Sequence, residues 1–146
     1  MPIEYQPNGN LKIGIHLVTW EELEKEYSIN QRRKDLLEGL KLLIADLKEC
    51  GCTVLYLDGS FVTKKINPGD YDALWLDYNE QHQLIKLDSS FQTLLEGSRE
   101  DQIFKYRGEI RGAFTEPDYS GKSYLQFFQR DKTDGSKKGI LQLNIK

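Results

Sequence analysis

Gly59-Ser60, followed by Asp70 and Asp72, is the set of residues whose types and spacing suit chemistry on phosphate. An apolar run, Leu55-Tyr56-Leu57, leads into Asp58-Gly59-Ser60-Phe61-Val62-Thr63, and Pro68-Gly69-Asp70-Tyr71-Asp72 comes shortly after. Glycine lets a chain turn with no side chain in the way. Backbone N–H groups and the Ser60 hydroxyl can then face a triphosphate. Alternate residues of a strand point the same way, so Asp70 and Asp72 share a face and Tyr71 points to the other. Two such carboxylates are hard oxygen ligands suited to Mg²⁺ or Mn²⁺. Cations there neutralise charge during an in-line displacement, which is most of what nucleotidyl transfer asks of a protein. A third acid on a later strand completes such a set. Glu109 fits by position, ahead of Asp77 and Asp58. Lys64 and Lys65 follow the turn and are placed to balance triphosphate charge, although a solvated loop explains them equally well.

The plainer reading is a turn. Asp-x-Asp pairs and Gly-Ser steps arise by chance, and Pro68-Gly69-Asp70 can simply enter a strand with Asp70 as its cap. What favours chemistry is the order of the parts: buried strand, Gly-Ser, short loop, Asp-x-Asp, apolar strand, then a later acidic strand.

Positioning these acids takes a sheet and something to pack it. Residues 1–18 show little periodicity and read as an extended lead-in to a single domain over 19–146. Thr19 with Glu22 forms a capping-box pattern, opening a short helix that should end near Tyr27. Asn30 is a second cap candidate. It opens a long helix whose Leu36, Leu37, Leu40, Leu43, Ile44 and Leu47 recur at three and four residues. Gly51 sits where a helix-terminating glycine belongs. Strands are expected over 53–57, 72–77 and 109–114, with helix over 89–106 broken near Gly97-Ser98. Strands over 123–129 and 140–145 around an Asp134-Gly135 turn give a C-terminal β-hairpin. The expected class is α/β (α+β): a mixed sheet flanked by helices.

Composition narrows the classes. A chain of 146 residues with 38% hydrophobic and 29% charged residues can bury one core and keep a polar surface. Its apolar runs fall far short of the ~18 residues of a membrane span. No basic-then-apolar leader opens it, so a cytoplasmic location is expected. Cys50 and Cys52, split only by Gly51, are too close for an ordinary disulfide and have no histidine cluster near them to suggest zinc. A net charge of −3 argues against a general nucleic-acid coat. Lys122, Arg130, Lys132, Lys137, Lys138 and Lys146, against Asp131 and Asp134, concentrate positive charge in the last quarter; a local patch of this kind could meet phosphate, but a solvated hairpin tip is the simpler explanation. Packing is likewise the simpler role for His16, His82 and Trp20, and for Tyr124, Phe127 and Phe128 in an alternating strand. Arg32-Arg33-Lys34 reads as an exposed first helical turn.

The block from Gly51 to Lys64, with Pro68 to Asp72, resembles a bacterial family of small nucleotidyltransferase-like proteins. These are similar to the minimal nucleotidyltransferases of toxin–antitoxin modules and, remotely, to the DNA polymerase β superfamily. The likeness extends to Thr19-Trp20-Glu21-Glu22-Leu23, Arg33, Leu36, Leu37 and Gly39-Leu40, then to Phe127-Phe128-Gln129-Arg130 and Lys138-Gly139-Ile140. It implies a nucleotidyltransferase-like mixed sheet, Mg²⁺ (or Mn²⁺) as cofactor and a nucleoside triphosphate as donor. By motif position it assigns the phosphates to Gly59 and Ser60 and the metal to Asp70 and Asp72. Glu109 stands where the superfamily more often has aspartate. The implied function is transfer of a nucleoside monophosphate to a protein or RNA acceptor, as in an antitoxin-type regulator with a cognate toxin. No acceptor-binding part of the usual size is present. The alternative is therefore a catalytically inactive partner-binding or nucleotide-sensing module.

Overall fold

Two capped helices set the frame. The Thr19 hydroxyl accepts from the Glu22 N–H and the Glu22 carboxylate accepts from the Thr19 N–H, each at 3.1 Å, starting α1 (Trp20–Tyr27). Asn30 Oδ1 accepts from the Arg33 N–H at 2.9 Å and starts α2 (Gln31–Glu49). Gly51, at φ +89°, stops α2 in the left-handed region that glycine adopts without strain. The structure, a computed structural model, describes residues 3–77, 98–115 and 121–145.

The strands are β1 (Ile15–Val18), β2 (Val54–Asp58), β3 (Tyr71–Trp75), β4 (Gly108–Gly112) and β5 (Ile140–Asn144). Between β3 and β4 lies α3 (Arg99–Tyr106), and a single helical turn, α4 (Tyr124–Phe127), precedes β5. The sheet runs β1-β5-β2-β3-β4, with parallel pairing at both edges and antiparallel pairing between. The mixed α and β class expected from the sequence is the one observed.

The two faces are packed differently. Leu55, Leu57, Ala73, Trp75, Ile110, Leu141 and Leu143 meet Leu36, Leu40, Leu43 and Leu47 of α2 in the larger core. Fully burying a leucine contributes about 2 kcal/mol, so the α2 stripe fixes which face the helices cover. On the opposite face Tyr56, Leu74 and Ile140 pack with Ala113, Leu125, Tyr124 and Phe128. The odd and even positions of β2 and β3 thus divide between a helix-covered side and a side covered by the α4 turn.

Several expectations give way. Residues 15–18, read as lead-in, form edge strand β1, and Leu11 and Val18 are buried in the main core. The strands expected over 72–77 and 109–114 start one residue earlier and end at Trp75 and Gly112. The segment 123–129 is not a hairpin strand. Ser123 accepts from the Gln126 N–H, the Gln126 side chain accepts from the Ser123 N–H, and this capping box turns 124–127 into a helix. An isolated antiparallel bridge, Arg130 to Lys137, remains where the hairpin was expected. Positions 89–97 and His82 lie outside the described residues. Among the described residues no helix is long and apolar enough to cross a membrane.

Candidate functional site

Asp58 ends β2, lies opposite Asp72 on β3, and Asp72 lies opposite Glu109 on β4. Residues directly opposite one another share a face of a sheet. These three acids therefore form one row, on the face away from the helices. Asp70 sits just before β3 and shares the parity of Asp72. Tyr71 points the other way, is buried, and donates to the Tyr106 carbonyl at 2.8 Å. The alternation expected of Asp-Tyr-Asp is therefore observed.

The Gly-Ser turn abuts this row. Gly59 has φ +86°, and a Cβ there would stand 2.7 Å from Asp72 Oδ2. A side chain at position 59 would therefore be strained in its backbone and would push the Asp72 carboxylate aside. Ser60 opens a short 3₁₀ turn (Ser60–Val62), and its hydroxyl accepts from the Gly69 N–H at 3.2 Å. That bond ties the Gly-Ser turn to the loop delivering Asp70.

The start of α2 fixes both loops. Arg33, 1% exposed, packs against the paired Tyr27 and Phe61 rings and donates to the carbonyls of Phe61, Thr63 and Lys65. Arg32 donates to the Pro68 carbonyl at 3.0 Å and reaches Asp70 Oδ1 at 3.6 Å. The expected exposed basic turn is therefore a clamp. The missed signal was periodic: Arg33 precedes Leu36, Leu37 and Leu40 by three, four and seven residues, on the buried stripe.

Like charges in one row repel, so each acid has a cationic neighbour. Arg111 reaches Asp72 Oδ1 at 3.2 Å and Glu109 Oε2 at 2.5 Å, and Arg99 also pairs with Glu109. The Arg111 guanidinium stands 5.4 Å from the Tyr124 ring centre and 5.2 Å from that of Phe128. Asp58 is 1% exposed and meets Lys138 Nζ at 3.1 Å. Burial raises its carboxyl from the usual 3.8 to about 6, against the opposing pull of Lys138. Asp77, the other acid considered, lies toward the far end of β3, where it accepts from the Phe114 N–H and Thr115 hydroxyl.

The raised Asp58 carboxyl has a consequence for stability. Protonation favours the folded state, so the contribution is complete below the unfolded value near 3.8 and is lost as pH rises through about 6. The full difference is on the order of 3 kcal/mol. Urea unfolding of wild type and Asp58→Asn at pH 4.5 and 7.5 checks this. Wild type should gain stability relative to the variant at the lower pH, whereas parallel changes would contradict it.

The C-terminal segment contributes to a cleft beside the acid row. A cleft of about 760 Å³ is lined by Gly59 and Asp72 together with Lys122, Arg130, Lys132, Lys137 and Lys138. Phe127, 50% exposed, and Phe128 line it too. The basic run expected at a solvated hairpin tip thus shares a cleft with Asp72, whereas Ser60, Asp70 and Glu109 are not in its lining. Asn10 Nδ2 donates to Asp131 at 2.8 Å and Lys138 N–H to the Gln129 carbonyl at 2.9 Å, anchoring that segment. Lys64 and Lys65 are not brought to the cleft lining. Lys64 Nζ stands 4.6 Å from the Tyr5 ring centre instead, and both residues are exposed.

Among the described residues no three His, Cys, Asp or Glu side chains are grouped so as to hold a metal ion. The donor chemistry nonetheless suits a hard cation. Asp70 and Asp72 are partly open carboxylates, and the buried Oδ2 of Asp58 has no hydrogen-bond partner among the described residues. Between Asp72 and Glu109 lies the Arg111 guanidinium, so a cation shared by those two acids requires Arg111 to move. Residues 3–144 match the model described as Family of unknown function (DUF6932). No curated protein and no solved structure matches.

Proposed function

The chain belongs to the Family of unknown function (DUF6932), so its chemistry must come from its own residues, and we propose that it is a Mg²⁺-dependent nucleotidyltransferase. It moves a nucleoside monophosphate from a nucleoside triphosphate to a protein or RNA acceptor. One observation carries this reading: Asp72 stands against the Gly59 turn, in a row with Glu109, at the mouth of a basic cleft.

Each part has a task. Arg130, Lys132 and Lys137 neutralise the triphosphate from one wall. Gly59 allows the phosphates to approach the backbone, and the Ser60–Gly69 bond keeps that turn beside Asp70. Asp70 and Asp72 would hold Mg²⁺, which supplies charge neutralisation at the transferring phosphorus when bound. The acceptor hydroxyl forms a bond to the α-phosphorus, the bond from that phosphorus to the β-phosphate oxygen breaks, and pyrophosphate leaves. The hydroxyl proton passes to solvent. Glu109 is paired with two guanidinium groups, which suits it to orienting Arg111 better than to accepting that proton.

Nucleotide binding tests the cleft. Lys137→Gln with Arg130→Gln should weaken binding of a fluorescent ATP analogue about tenfold or more and flatten its salt dependence. Unchanged affinity would remove the triphosphate from this cleft.

A second reading, nucleotide sensing or partner binding without transfer, is favoured by a separate observation. Asp70, Asp72 and Glu109 each already have an arginine partner. Saturable nucleotide binding with no pyrophosphate release would select it.

A further inference from the structure

We propose that Phe127 is a nucleobase subsite: its ring stacks the base of the nucleoside triphosphate whose phosphates are held by the basic residues of the same cleft. The inference rests on the nucleotide reading above and extends it from the phosphates to the base.

Three aromatic residues come from α4 and its C-cap, and their surroundings differ. Tyr124 and Phe128 stack on each other with ring centres 6.1 Å apart, flank the Arg111 guanidinium and pack against the smaller core. Phe127 joins neither core and is 50% exposed. Its ring meets Phe128 at 5.4 Å and 83°, an edge-to-face contact that sets the tilt of the pair. A large apolar ring in water forgoes the burial its size would reward, and this one lines the basic cleft. The strand expected over 123–129 would have sent Phe127 into packing; the capping box of Ser123 and Gln126 sends it to the cleft instead. The Arg130 N–H donates to the Phe127 carbonyl at 3.2 Å, so the ring and a cleft-lining cation are carried on one turn of chain. Gly59 and Asp72 line the same cleft, whose volume suits a ligand of nucleotide size. Cations that meet phosphate beside an aromatic ring that meets the base are the two parts of sequence-tolerant nucleotide binding, because every base has a π face.

Calorimetric titration with ATP and with ribose 5-triphosphate, both with Mg²⁺, measures the base contribution without any turnover. Ribose 5-triphosphate keeps the sugar and the phosphates of ATP and has a hydroxyl in place of the base. Wild type should bind ATP about tenfold more tightly than ribose 5-triphosphate. Phe127→Leu keeps an apolar side chain without a π face, and should bring the two affinities within about twofold by weakening ATP alone. Phe127→Tyr keeps the ring and should keep the preference. A merely structural role would weaken both ligands in parallel, so that outcome overturns the subsite, as does an undiminished ATP preference in folded Phe127→Leu. Equal affinities in wild type overturn the subsite while leaving the phosphate reading intact, and need no variant to fold. Binding of neither ligand by folded wild type overturns the nucleotide reading and the subsite with it.

Discussion

Asp72→Asn should reduce nucleotidyl transfer by about a thousandfold or more while leaving the fold in place. Asparagine keeps the size and one oxygen of the side chain but removes the charge that a hard cation needs. Asp72 is the pivot of the site: it faces Asp58 and Glu109 across the sheet, meets the Gly59 turn and lines the cleft. Its contact with Arg111 is partly exposed and contributes at most about 1 kcal/mol. Relief of repulsion within the acidic row offsets part of that loss. A transfer assay beside a urea denaturation curve separates the effects. Turnover retained in folded Asp72→Asn would show that the metal is held elsewhere.

Gly39→Ala should unfold the protein far more easily, by about 3 kcal/mol or more. Two effects oppose each other. Alanine raises helix propensity in α2 by about 1 kcal/mol. However, its Cβ would stand 2.1 Å from the Tyr106 carbonyl oxygen and 2.8 Å from Arg107 Cγ. Backbone cannot yield as a flexible side-chain tip can, so the clash wins. The same carbonyl accepts the Tyr71 hydroxyl, between Asp70 and Asp72, so displacing it disturbs the acids as well. The urea midpoint decides: a variant as stable as wild type would contradict the packing of α2 on α3.

What the sequence disclosed was mostly local. Thr19, Asn30 and Gly51 carry their capping roles in short patterns, and the leucine stripe of α2 needs no partner to be recognised. Asp58-Gly59-Ser60 and Asp70-Tyr71-Asp72 were legible as parts of one site because a buried strand leads into the first and the second alternates. Arg33 had a signal too, its place on the leucine stripe, but charge masked it. The α4 turn was likewise encoded in Ser123 with Gln126 and in the spacing of Tyr124, Phe127 and Phe128, which fits a helix better than a strand. The parallel pairing of β1 with β5 joins segments more than a hundred residues apart, and no local pattern specifies it. The same long-range folding sets Lys138 against Asp58 and turns a basic tail into a cleft wall.

The decisive measurement is transfer itself. Wild-type protein, Mg²⁺ and each α-labelled nucleoside triphosphate are incubated with lysate from the native cell, alongside an Asp70→Asn/Asp72→Asn control, and pyrophosphate is followed in parallel. The predicted result is label on a discrete acceptor with matching pyrophosphate release, both absent from the control. No label and no pyrophosphate from any of the triphosphates, with the protein folded and nucleotide bound, would contradict a transferase.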